Sequence, residues 1–427
     1  MTSLTDTTQE WGLRHAHDPT VVRGEDGTWY MFSTDAADGI DEIPTGVHVR
    51  TSTDLVDWTF AGTALDGVPT PAKQWSGAQG LWAPEVLRWP TGGDEERWRM
   101  YYSASTFGSR TSAIGLAVAP SPAGPWADRG LVVATREESD RHNAIDAAVV
   151  RDHDEQPWLV YGSFWDGIQA VRLDPVTGFV PEGEPAHTIA RRPESVDGAI
   201  EGAYVVRREG KYVLFCSYDS LVDTYSVRVG IADEVTGPYR DYLGRDLRAP
   251  SVQDAQLVGT KLLGGYRFAG AEGYIAPGHN SIFSEGDDTF MVHHVRFAEA
   301  PTRHAAQIRR VLWTASGWPV VSPHPFAGAH RERLPEAVAA TGRWHLVRFD
   351  PEMNGMVDSA EADVLAEVET AGEPVATTVV LRTPERTLCL DAVIFGAWDP
   401  AVERTVLAIS GIADDGVVWS GFREVQP

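Results

Sequence analysis

One plan, written five times along the chain, limits what this sequence can fold into more than any other feature. It is clearest in residues 143–171, NAIDAAVVRDHDEQPWLVYGSFWDGIQAV. One acid, Asp146, precedes an apolar run. A polar turn follows, then a second apolar run from Trp158 to Tyr161 that ends in Gly162-Ser163. A third segment follows the Asp166-Gly167 turn. Short β-branched and aromatic runs bounded by Asp, Gly and Pro read as strands joined by hairpins. The same order of polar residue, strand, turn and aromatic strand begins at Asp18, Glu85, Glu201 and His279. A lone meander cannot bury its faces or protect its edges. Five such sheets set radially around an axis can, because only short edges are then left. The expectation is an all-β fold with a five-bladed β-propeller over residues 11–328.

The pattern changes near Gly342. From there to the end, short alternating runs separated by turn residues predict a second unit at 342–427, a small β-barrel or sandwich. Residues 327–340 read as a linker, with a short helix over 335–340. Inserts at 35–46, 65–80 and 244–278 are long for a compact domain. Loops of that length tend to serve function, and here they would wall the central cavity.

Composition narrows the function. With 36 basic and 61 acidic side chains the formal net charge is −25. Such a chain repels phosphates and anionic lipid headgroups, so no nucleic acid and no membrane surface is expected as partner. No run of 18 apolar residues suggests a transmembrane helix. The first residues show no basic region followed by an apolar core, which predicts a cytoplasmic protein, or a secreted one if a leader has been removed. Cys216 and Cys389 lie in apolar runs and are expected to be buried free thiols, which suits a reducing compartment. Fifteen Trp residues lean towards carbohydrate, whose C–H faces pack on aromatic rings. Oligomeric state is not legible.

In a propeller the innermost strand of each blade starts at the axis. Polar residues at those starts converge on one cavity. Asp18, Asp146 and Glu201 share that context. They are either acids making turn hydrogen bonds or the carboxylates of a glycoside hydrolase, which needs one protonated group for the leaving oxygen and one ionised group for water or carbon. The longer Glu201 suits the acid and Asp18 the base. Asp146 would keep Glu201 protonated by like-charge repulsion. Trp82, Phe164 and Trp165 are sugar platforms or blade core. Glu85 reads as structural. His279 is a metal ligand or a hydrogen-bonded wall residue. One His without an acid cluster is a weak basis for calcium, which prefers oxygen. His293 and His294 are neighbours on a strand, face opposite ways and cannot chelate together.

Seven motifs now appear in order over residues 15–323: His17-Asp18-Pro19-Thr20, Trp82-Ala83-Pro84-Glu85, Asn143-Ala144-Ile145-Asp146, Tyr161-Gly162-Ser163-Phe164, Ile200-Glu201-Gly202, Gly278-His279-Asn280 and Gly317-Trp318-Pro319-Val320-Val321. Together they resemble family 43 glycoside hydrolases, in particular the endo-α-1,5-L-arabinanases. The tail, notably AISGIADDGVVW at 408–419, is similar to the C-terminal β-domain of the larger arabinanases. The resemblance implies inversion, with Asp18 as general base, Asp146 modulating and orienting the acid, and Glu201 as general acid. It implies substrate contacts from Trp82, Asn143, Ser163 and Phe164, and an axial calcium near His279. The sequence departs from the family pattern at Thr20, Ala147 and Gly202-Ala203, all neighbours of the acids, which bears on subsite shape. Exo-acting α-L-arabinofuranosidase or β-xylosidase action on the same scaffold stays open, as does a non-catalytic carbohydrate-binding propeller.

Overall fold

The structure is a computed structural model. It describes residues 10–424 apart from residues 92, 249–250, 252, 335, 367 and 371–372. Four four-stranded antiparallel sheets follow one another. Their inner strands are Thr20–Arg23, Trp82–Arg88, Ala148–Arg151 and Ile200–Arg208. A fifth sheet runs from the inner strand Tyr274–Glu285 out to Pro319–Val321. The expected all-β five-bladed propeller is therefore what forms. Each blade pairs a half-polar inner strand with an aromatic second strand, and the second strands Trp29–Ser33, Trp98–Ala104 and Pro157–Tyr161 are buried along their length. That burial is the physical content of the repeated plan. Flat faces bearing Trp, Tyr and β-branched residues stack on the next blade instead of meeting water.

Neighbouring inner strands touch around the axis. Thr20–Arg23 contacts both Trp82–Arg88 and Tyr274–Glu285, and Ile200–Arg208 contacts both Ala148–Arg151 and Tyr274–Glu285. The ring is tied shut by the segment ahead of the first blade. His15 N–H donates to His304 O at 3.0 Å, and Ala306 N–H donates to Leu13 O at 2.9 Å, so residues 13–15 lie along the third strand of blade five. The residues expected to fray at 1–9 lie outside the described residues.

Six strands between Gly342–Phe349 and Val418–Glu424 close into a barrel. The barrel is not freestanding. One apolar cluster joins Val213 and Phe215 of blade four and Val311 and Val320 of blade five to Val347, Phe395 and Phe422 of the barrel. A short strand, Val357–Asp358, pairs in parallel with Tyr266–Arg267 and so extends the sheet of blade five. The expected helix at 335–340 does not form over its described residues. Val338–Ala339 is instead a two-residue strand paired with Glu369–Thr370, because a β-branched residue beside a free strand edge gains more from that pairing than from one helical turn. The 65–80 insert holds a helix the sequence did not announce, Thr70–Ser76, ended by left-handed Gly77. Of the two thiols, Cys216 is buried as expected, but Cys389 is exposed. Cys389 sits on a barrel strand whose alternate residues face outward, and alternation decides exposure there.

Candidate active site

The inner strands do not run straight to the axis. In each blade one residue at or beside the marker position adopts positive φ: Asp18 (51°), Ala83 (40°), Asp146 (62°), Gly202 (57°) and His279 (46°). In three blades the pairing also slips there, between Trp82 and Glu85, between Glu201 and Tyr204, and on both sides of Gly278. A left-handed residue or a bulge re-aims the side chain next to it. Non-glycine residues in this region are strained, and such strain is common where function needs a fixed direction. Gly202 allows a close approach, since a Cβ there would lie 3.0 Å from the His279 ring.

Asp18 sits in a cage of imidazoles. Its Oδ1 lies 2.8 Å from His17 Nδ1, 3.1 Å from His279 Nδ1 and 3.3 Å from His294 Nδ1. Its Oδ2 accepts a hydrogen bond from Thr34 Oγ1 at 2.6 Å. The His17 and His294 rings stack at 3.7 Å. Burial alone would raise the Asp18 carboxyl, but the His17 and His279 charges and the hydrogen bonds from His17 and His294 outweigh it, holding Asp18 well below the usual range. Asp18 is an ionised carboxylate at neutral pH.

Asp146 faces the reverse situation. Burial is the largest influence on it, followed by the charges of Glu201 and Asp18, and together they push it well above the usual carboxyl range. Among the described residues its carboxyl accepts one hydrogen bond, from Gly202 N–H to Oδ2 at 3.2 Å, while its own main-chain N–H donates to Ser103 Oγ at 2.9 Å. Glu201, next to Gly202, is held by two hydroxyls, Ser163 Oγ at 2.6 Å from Oε2 and Tyr225 OH at 2.7 Å from Oε1. Asp18, Asp146 and Glu201 are each less than a tenth exposed.

All three acids line one cavity of about 890 Å³. Trp82, Asn143, Ser163, Phe164, Trp165 and His279 line it too, so the acid, sugar-contact and metal candidates of the sequence come together. Residues 105–109 and 219–225 supply much of the rest of the wall. The 35–46 insert is pinned by Asp35, whose carboxylate accepts the N–H groups of Gly46, Val47 and Leu81, each at 2.8 Å. At the rim stand Phe107 and Trp165, 86% and 39% exposed. Glu85 lies off the cavity. It joins blades one and four by accepting from Thr20 Oγ1 at 3.1 Å and Tyr204 OH at 3.3 Å, and burial pushes it up to about 8.

Several site residues went unseen in the sequence. His17 stood in a quoted motif without a role. His294 faces Asp18, while His293 turns away to accept from Arg309 Nε at 3.2 Å, so the strand alternation held but one of the pair serves the site. Thr34 ends an aromatic strand with no signal of its own. Tyr225 sits in a polar loop. Phe107 was findable as a bare aromatic among Thr106, Gly108 and Ser109.

The calcium expected at His279 can be tested on the donors present. Among the described residues, the one group of side chains able to share a metal is His17, Asp18 and His294. Two imidazoles and a carboxylate are not the oxygen cage calcium prefers. His279 is a different case. In a neutral ring whose Nδ1–H faced Asp18, 3.1 Å away, Nε2 would keep a lone pair, which is how a metal-binding His is usually held. The residues fit a hydrated cation carried by one imidazole and do not fit a caged one.

Comparison with known proteins places this geometry in context. The profile of Glycosyl hydrolases family 43 matches residues 13–319. A Cellvibrio japonicus protein named extracellular exo-alpha-(1->5)-L-arabinofuranosidase is 31% identical over 74% of this chain and 89% of its own length. A Bacillus subtilis protein named extracellular endo-alpha-(1->5)-L-arabinanase 1 is 36% identical over 56% of this chain and 72% of its own. A crystal structure from Bacillus licheniformis, described as a family 43 glycoside hydrolase, superposes with TM-score 0.78 at 26% identity, covering 96% of this chain and 98% of that one. The word extracellular in the names of the relatives overturns the expected cytoplasmic location, which rested on the lack of a leader pattern in the first residues.

Proposed function

Because the chain belongs to glycosyl hydrolases family 43, we propose that it hydrolyses α-1,5-linked L-arabinan or its oligosaccharides with inversion of the anomeric carbon, outside the cell. The observation that carries this reading is the convergence of Asp18, Asp146 and Glu201 on one cavity, in surroundings that lower the Asp18 carboxyl and raise that of Asp146. The names of the relatives support the sugar and the location.

The roles follow from the contacts. Asp18 accepts a proton from water as that water attacks the anomeric carbon. The imidazoles around it fix its direction and keep it charged. Glu201 gives a proton to the departing glycosidic oxygen, breaking the carbon–oxygen bond. Burial and the charges of Glu201 and Asp18 favour the neutral form of Asp146, so Asp146 stands beside Glu201 as a neutral neighbour and not, as the sequence suggested, as a charge that repels it. Ser163 and Tyr225 orient Glu201. Trp82 and Phe164 offer faces for the furanose, and Asn143 a polar edge. A cation on His279 would supply positive charge next to Asp18 and order water. Removing metal with a chelator is expected to lower activity, and full activity in a demonstrably metal-free sample would end that part of the proposal.

The test of the reaction is direct. Linear arabinan is incubated with the protein and the first product followed by NMR. Initial β-arabinose supports inversion, and an initial α-anomer refutes the roles of Asp18 and Glu201. Product sizes in the same reaction separate the endo reading, which we favour from the motif pattern, from the exo action in the name of the Cellvibrio relative. Release of a ladder of oligosaccharides supports internal cleavage, and a single short product supports cleavage from an end.

A further inference from the structure

Part of the barrel's chain leaves the barrel. After Gly342–Phe349, residues 350–354 run against blade four before Val357–Asp358 joins the sheet of blade five. Two buried cations of blade four grip this segment. Arg228 donates to Pro351 O at 2.9 Å, and Lys261 Nζ donates to Met353 O at 2.6 Å. Arg228 is fully buried and Lys261 nearly so. Burying two cations to hold main-chain carbonyls is costly unless each is well bonded. The result is that three successive residues have little freedom. Arg228 also donates to the main-chain oxygen of Gln256, a cavity residue.

The residue delivered by this grip is Asn354. It lines the same cavity as the acids and Gln256. It is the one lining residue that comes from the barrel segment. Its carboxamide oxygen is buried and, among the described residues, has no hydrogen-bond partner. Native proteins rarely leave such an atom unmet, and a ligand group is one of the usual partners. A carboxamide can both donate and accept, which matches a sugar hydroxyl. The three acids have their own partners in His17, Thr34, the Gly202 N–H, Ser163 and Tyr225, so Asn354 serves another part of the chain being bound.

We propose that Asn354 is a substrate-binding residue that hydrogen-bonds a hydroxyl of a furanose unit remote from the cleaved bond, so that the barrel builds one subsite of the propeller's cavity. Arg228 and Lys261 are positioning residues that act through the 350–354 segment. The inference rests on the reading of the cavity as an oligosaccharide site.

The experiment compares wild type, Asn354→Ala, Asn354→Asp and Lys261→Met on linear arabino-oligosaccharides of increasing length and on an aryl α-L-arabinofuranoside. Asn354→Ala is expected to raise KM about fivefold on the longer oligosaccharides, the worth of one neutral hydrogen bond, with kcat unchanged. The aryl glycoside, too short to reach the residue, should be unaffected. Asn354→Asp keeps an acceptor oxygen and should recover part of the loss. Lys261→Met should reproduce the same dependence on length, and it covers the case in which the alanine variant folds poorly. A KM unchanged at every length, or raised equally for the aryl glycoside, overturns the inference while leaving the hydrolase reading standing. A wild type that cleaves none of these sugars removes the hydrolase reading, and this inference with it.

Discussion

The inner strands of blades one and three start alike and end up chemically opposed. Each is preceded, two residues ahead, by an aspartate, both aspartates have positive φ, and both are buried. Asp18 is pushed down and Asp146 is pushed up. Burial acts on both in the same direction, so it cannot be the cause of the difference. The neighbours are. Around Asp18 stand three imidazoles and a threonine hydroxyl. Around the Asp146 carboxyl stand the charges of Glu201 and Asp18 and one backbone N–H, that of Gly202. One repeated structural position thus yields a lowered and a raised carboxyl according to what adjoining blades bring to it.

The sharpest way to break the comparison is to remove each charge in turn. Asp18→Asn is expected to lower kcat by on the order of 10⁴ on every substrate, since no group then activates water. Asp146→Asn should cost about 10² and act mainly through the pH profile. Stability should move in opposite directions. A carboxyl lowered by folding stabilises above its ordinary value of 3.8, and that stability is lost as pH falls. A carboxyl raised by folding stabilises only below that value, and the benefit is lost as pH rises. At pH 7 the thermal midpoint should therefore fall for Asp18→Asn and rise for Asp146→Asn. Midpoints moving together would mean that the two sites are not opposed.

A smaller effect should come from the hydroxyls. Thr34→Val and Ser163→Ala each remove one hydrogen bond from a carboxyl group, with an expected loss in kcat of about tenfold. The loss from Thr34→Val should be equal for good and poor leaving groups. The loss from Ser163→Ala should grow as the leaving group worsens, because only proton donation is impaired. Rates on a series of aryl arabinofuranosides give the slope, and equal slopes would merge the two roles.

The smallest effect on activity is expected at Glu85. Its value near 8 makes it neutral at pH 6, where Glu85→Gln should have almost no influence on rate. The raised value implies that wild-type stability declines between its ordinary 4.5 and about 8. The Gln variant should show a flatter midpoint over that window, measured by thermal unfolding at intervals of pH.

The blades were legible because their signal is local. An aromatic strand after a polar turn needs only period-two alternation and turn residues to be read, and each repeat reinforced the others. The acids were legible because they sit at the same place in successive repeats. Thr34, Tyr225 and His294 were not, since each lies far along the chain from the residue it bonds: Tyr225 is 24 residues from Glu201, and His294, whose Nδ1 accepts from the Asp18 main-chain N–H, is 276 from Asp18. Nothing within a few residues of them differs from ordinary strand or loop. The same holds for the outward face of Cys389 and the strand at Val338–Ala339, where a partner strand elsewhere in the chain made the choice.

Alternation, turn chemistry and five repeats were enough to dictate an all-β radial fold with acids at its axis, because those features act over short stretches and add up. Which acid is charged was decided only in three dimensions. A carboxyl's proton affinity depends on charges within a few ångströms and on exclusion of water, and both are set by which blades meet at the axis. The place of Asn354 was decided in the same way. Nothing in MNG at 353–355 distinguishes it from a surface loop, and only the grip of Arg228 and Lys261 carries a barrel residue to the wall of the propeller's cavity.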